Sequence, residues 1–148
     1  GTSHGAYKFK GAKNLAFDVL KQVRGLIDIP IVLHGASSVP QELIDKINRF
    51  GGKMPGATGV PMEHLQKAIS LGVSKINVDT DARLAMTGGI REIFATQPEK
   101  FDPRDYLGPA REQLAALIAR KMEDFGTAGH AGDYKPLTLD DMKKRYGK

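Results

Sequence analysis

The chain has 148 residues, 41% hydrophobic and 26% charged, with a net charge of +5 and no cysteine. That is enough for one domain with a real core, and it excludes disulfides and thiolate metal sites, leaving His, Asp and Glu as possible metal ligands. No apolar run approaches the roughly 20 residues that span a bilayer, and the opening GTSHGAYKFKG lacks a signal peptide's apolar core, so a cytoplasmic protein without a membrane partner is expected.

Gly1 to Gly11 reads as a loop. From Asn14 to Leu26, the residues Leu15, Val19, Leu20, Val23 and Leu26 form an approximate helical stripe. Asp28-Ile29-Pro30 ends it, and Ile31 to Leu33 follows as a short apolar strand, expected to be buried on both faces. Ser38 and Gln41 have capping-box spacing ahead of a helix from about Pro40 to Phe50. Lys53 to Val60 is loop-like, and a second helix starts at Pro61 and ends before Gly72. Ser74 to Val78 is the next strand, and Thr80 or Asp81 can cap the helix after it, which Gly88 and Gly89 interrupt at a point of close packing or a bend. A connection from Pro98 to Gly108 leads to the strongest helix, Pro109 to Phe125. Gly126 to Tyr134 is a Gly-rich loop, and Thr138 caps a short terminal helix. The cluster Lys143, Lys144 and Arg145 complements that helix's dipole, and no nucleic-acid motif accompanies it.

Strand and helix in alternation is the grammar of a parallel sheet with crossover helices. Two clear strands cannot seal both sheet edges, and a closed (β/α)₈ barrel needs about 250 residues. The simplest reading is the C-terminal portion of a larger TIM (β/α)₈ barrel, with residues 1–148 belonging to one domain.

The chemistry-bearing residues fall at strand C-terminal ends: His4 with Lys8, His34 to Ser37, and Asn77 to Asp79. In a barrel these ends converge on one mouth, where the two histidines could share a divalent metal, although catalytic zinc usually takes three protein ligands. Ser37 and the Gly35 loop could hold phosphate, or Ser37 could simply cap a helix. Asn77 and Asp79 could bind substrate hydroxyls or organise a turn. Arg83 could clamp a phosphate or remain a solvated charge. His64 reads as structural, and the loop around His130 either covers a site or is a surface connection. Glu112 and Glu123, with the Arg and Lys near them, read as solvated helix faces.

Taken together, GTSHGAYKFKG, IPIVLHGAS, KINVDTD and the Arg83 spacing resemble class II fructose-bisphosphate aldolases, and the match continues into TAGHAG. The resemblance implies a zinc-dependent barrel enzyme, a homodimer or homotetramer, that reversibly cleaves fructose 1,6-bisphosphate to dihydroxyacetone phosphate and glyceraldehyde 3-phosphate. It implies that His4 and His34 are zinc ligands. Gly5, Lys8, Gly35, Ala36 and Ser37 would hold the dihydroxyacetone phosphate end. Asn77, Val78, Asp79 and Thr80 would complete the substrate site, and Arg83 would reach the other phosphate across a subunit interface. A monovalent cation is a further candidate. The family's third zinc histidine and its proton-transferring acid have no counterpart in these residues, so no catalytic acid is assigned here. The alternatives are a tagatose-bisphosphate aldolase and a non-catalytic, sugar-phosphate-binding barrel fragment.

Overall fold

The two apolar runs that read as strands pair in parallel in the computed structural model, which describes residues 15–147. Strand β1 (Ile31–Leu33) aligns with β2 (Val73–Ile76), with Ile31 opposite Val73 and Leu33 opposite Ile76. The Asn77 amide extends the ladder by donating to the Leu33 carbonyl at 3.0 Å. Helix α1 (Phe17–Leu26) precedes β1, and α2 (Gln41–Arg49) and α3 (Met62–Ser70) cross from β1 to β2. Helices α4 (Thr80–Thr96), α5 (Pro103–Asp124) and α6 (Leu139–Tyr146) follow. The described residues are thus a helix-rich α/β arrangement.

Two apolar clusters hold it together. Val39, Ile44, Ile47 and Leu84 lock α2 against α4. Ala36, Val60 and Leu65 are buried under the sheet with Leu33, Ile76 and Phe125 packed against them. At the end of α3, Gly72 adopts φ +101°, the left-handed C′ conformation that glycine takes without a Cβ penalty. Helix α6 closes with the expected cap: Thr138 Oγ1 accepts from the Asp141 amide, and the Asp141 carboxylate accepts from the Thr138 amide.

Four expectations need correction. The strand β1 is not buried on both faces among the described residues, because Val32 is 41% exposed on a two-stranded sheet. The capping box of Ser38 and Gln41 does not form; α2 starts behind Pro40, and the Gln41 amide reaches back to the carbonyls of Val39 and Ala57. The segment from Pro103 to Gly108 is helix rather than connection. Asp102 caps it through the Arg104 amide, Pro103 suits the first helical position, and Pro109 is absorbed inside the helix. The paired glycines do not interrupt α4, which runs unbroken from Thr80 to Thr96.

Gly89 instead marks close packing. A Cβ built there would lie 2.9 Å from Ala110 Cα and 3.2 Å from Ala110 Cβ on α5, whereas one on Gly88 meets nothing closer than Lys46 Cδ at 3.5 Å. Overpacking costs about 1–3 kcal/mol, against a helix-propensity gain of about 1 kcal/mol for Gly→Ala. Gly89→Ala is therefore expected to lower the denaturation midpoint, and Gly88→Ala to leave it unchanged or raise it.

Beside this contact, Lys46 Nζ pairs with Glu92 at 2.5 Å, and the Gln113 amide donates to the same carboxylate at 3.0 Å. The Lys46 hydrogen bond holds the Glu92 carboxyl below its ordinary value of 4.5. A depressed folded-state value gives stability that is present above the ordinary value and lost as pH falls through the folded one. Thermal melts of the wild type and Glu92→Gln should therefore differ at neutral pH and converge once the pH is well below 4.5.

Candidate active site

The turn that leaves β1 begins at Gly35, at φ +63°, where the absence of a Cβ lets the chain reverse into a loop. His34 stands exposed at the strand end, and Gly35, Ala36 and Ser37 are buried behind it. Across the sheet, Asn77 leaves the end of β2, and its Nδ2 lies 2.9 Å from His34 Nδ1, a contact that fixes the orientation of the imidazole.

Ser37 is 3% exposed, and its hydroxyl does not cap the helix that follows it. Its Oγ instead accepts from the amides of Asp79 and Thr80, at 3.4 and 3.3 Å, which open α4. The helix-capping alternative is therefore realised, but on the neighbouring element, and the hydroxyl keeps its own proton to donate. Asp79 in turn accepts from Arg83 Nε at 2.9 Å. This bond raises the Arg83 pKa still further, and a guanidinium carries five donors, so charge and donors remain for an anion.

These side chains border one cavity of about 600 Å³, lined by Gly35, Ser37, Asn77, Asp79, Thr80 and Arg83 on the polar side. Val39, Ile47, Met54 and Leu84 supply an apolar wall. Of the sequence-derived site residues, the structure thus gathers six around a single opening. Ala36 is 1% exposed and its side chain belongs to the core, which leaves only its backbone for a ligand. Val78 is half-buried and does not line the cavity. His4, Gly5 and Lys8 lie outside the described residues. Among the described residues no three His, Asp or Glu side chains gather as a metal site.

None of the three described histidines, His34, His64 and His130, lines the cavity, and His34 meets it only through its contact with Asn77. His64 packs edge-on against Phe17, with ring centroids 5.5 Å apart. His130 is exposed and pairs with Asp133 at 2.7 Å within its own turn. Glu112 and Glu123 are exposed, as expected of solvated helix faces, but Lys121 beside Glu123 is not.

Lys121 is the residue that sequence reasoning missed. It is 5% exposed and reaches from α5 under the β1 loop, where its Nζ lies 2.7 Å from Asp81 and donates to Ser38 Oγ. Asp81, fully buried, does not cap α4 with its side chain as expected; it turns inward and accepts from the Val39 amide at 2.8 Å and the Ser38 amide at 3.1 Å. Met54, Thr58 and Thr87 are further cavity-lining residues without a sequence signal. They come from a loop and a helix face whose apposition depends on tertiary packing alone.

The family model described as "Fructose-bisphosphate aldolase class-II" matches residues 1–130. A fructose-bisphosphate aldolase of Giardia intestinalis is 55% identical over 148 residues, covering 99% of this chain and 46% of the relative. Fructose-bisphosphate aldolase 2 of Cereibacter sphaeroides is 49% identical, covering 99% of this chain and 42% of the relative. Fructose-bisphosphate aldolase class 2 of Synechocystis is 47% identical over 152 residues, with 100% and 42% covered. The chain spans less than half the length of these curated relatives. With the family model matching most of its residues, the chain belongs to the class II fructose-bisphosphate aldolase family.

Proposed function

We propose that this chain contributes the phosphate-holding wall and part of the metal site of a class II aldolase that reversibly cleaves fructose 1,6-bisphosphate to dihydroxyacetone phosphate and glyceraldehyde 3-phosphate. One observation carries the reading. Gly35, Ser37, Asn77, Asp79, Thr80 and Arg83, drawn from two strand ends and the start of α4, line the same cavity. The names of the relatives support the substrate. The proposed architecture is a (β/α)₈ barrel, with residues 1–148 as its C-terminal portion. Exposed apolar side chains at Leu26, Ile29 and Val32 support it, since such a surface calls for cover.

In this reading the Gly35–Ser37 turn holds one phosphate through backbone amides and the Ser37 hydroxyl, and Arg83 holds the other across a subunit interface of a homodimer or homotetramer. Gly5 and Lys8 are proposed to complete the enclosure, with the Ala36 backbone in the turn, while Val78 stands outside the cavity lining. Asn77 and Asp79 face the carbon chain between the phosphates. Fixing both ends of a flexible bisphosphate lowers the barrier by positioning, before any proton moves. His34 is the proposed first zinc ligand, as an exposed imidazole at a strand end. His4 is the proposed second ligand, while the remaining ligand and the acid for the C4 hydroxyl proton come from outside these residues. Bound zinc would supply a Lewis acid for the ketone oxygen. A cytoplasmic setting accompanies the reading.

The test is a coupled cleavage assay on the full-length polypeptide that carries this chain. Fructose 1,6-bisphosphate should be turned over in preference to tagatose 1,6-bisphosphate, chelation should abolish the activity, and added zinc should restore it. Loss of a charged hydrogen bond to phosphate in Arg83→Ala should cost about 10- to 100-fold in kcat/KM. Preference for the tagatose sugar would assign the sister activity. Phosphate binding without cleavage of either sugar would assign a binding role.

A further inference from the structure

Resting on the phosphate role proposed for the Gly35–Ser37 turn, we infer that Lys121 is a positioning residue for substrate phosphate. It acts by neutralising Asp81, the buried carboxylate that clamps the end of that turn.

The clamp stands on four contacts. Asp81 Oδ1 accepts from the Val39 amide at 2.8 Å, and Oδ2 accepts from the Ser38 amide at 3.1 Å and from Ser38 Oγ at 2.9 Å. Lys121 Nζ closes the set with an ion pair to Oδ2 at 2.7 Å. Val39 pays a local conformational cost in this arrangement, since its φ is +50°, in a region that β-branched residues rarely adopt. The Asp81 bond to its amide is what holds it there.

Two consequences follow for the turn. The Ser38 and Val39 amides are committed inward to a protein carboxylate, so an incoming phosphate must use the donors from Gly35 to Ser37. The far side of the turn is fixed as well: the Val60 amide donates to the Ser37 carbonyl at 3.0 Å, and Gly59 packs against the Ser37 and Ser38 backbone. The turn is therefore held between a strap and a buried ion pair. The second consequence is electrostatic. A carboxylate buried beneath the turn would repel a phosphate dianion across a poorly screened interior, unless a cation balances it. Lys121 supplies that cation from α5, a helix that contributes no residue to the cavity wall.

The test uses the full-length polypeptide with Lys121→Met, Lys121→Arg, Ser38→Ala and the double variant Asp81→Asn/Lys121→Met. Lys121→Met should raise KM for fructose 1,6-bisphosphate, and the dissociation constant for inorganic phosphate, by about 10- to 100-fold, with kcat changed far less. Lys121→Arg, which keeps the charge, should restore most of the affinity, and the double variant should recover part of it. If Lys121→Met does not fold, Ser38→Ala, which removes only the bridging hydroxyl, should still raise KM. An unchanged KM in Lys121→Met or in Ser38→Ala, whatever happens to the melting temperature, would overturn the inference. Hydrogen exchange separates it from the aldolase reading. The Ser38 and Val39 amides should lose protection in Lys121→Met even if the wild type cleaves no sugar, and retained protection would overturn the clamp.

Discussion

The geometry of the cavity depends on a carboxylate buried behind its wall rather than lining it. Asp81 sits fully buried at the start of α4 and takes two amides and a hydroxyl from the turn after β1, with the Lys121 ammonium against it. Removing one member of such a buried pair leaves an uncompensated charge, which is why these contacts act as a unit. They join three elements that are distant in sequence: the β1 turn, α4 and α5. The close approach of Gly89 to Ala110 brings α5 near enough to α4 for the Lys121 side chain to reach the pair.

From that anchor the polar wall follows in steps. The clamp sets Ser38 and Val39, and Ser37, just before them, places its hydroxyl on the Asp79 and Thr80 amides. Asp79 then holds Arg83 through Nε, one turn into α4. The β-ladder meanwhile aligns the ends of the two strands, so that Asn77 meets His34. The two strand ends therefore lie side by side, because parallel strands deliver their C-terminal ends to one side: Asn77 lines the cavity, and His34 stands against it just outside the lining.

Much of this was legible in the sequence, for physical reasons. The run Ile31 to Leu33, stopped by His34 and Gly35, could only be a short strand entering a tight turn. KINVDTD had the same form, and the family motifs named six of the residues that line the cavity. The local rules failed where tertiary contact outweighed them. Pro103, Gly108 and Pro109 signal a break, yet the helix runs through them once Asp102 caps it and Ala110 packs on Gly89. Ser38 and Asp81 both looked like caps for their own helices, and each was taken by the other. Lys121 occupies a position that reads as solvated, because nothing periodic in a sequence reveals an ion pair 40 residues away.

The most direct measurement is NMR of the full-length polypeptide, labelled on backbone amides and titrated with dihydroxyacetone phosphate. Saturable shifts are expected at Gly35, Ala36 and Ser37, with smaller changes at Asn77. Saturable binding that perturbs amides elsewhere and leaves the Gly35–Ser37 turn unmoved would contradict its phosphate role.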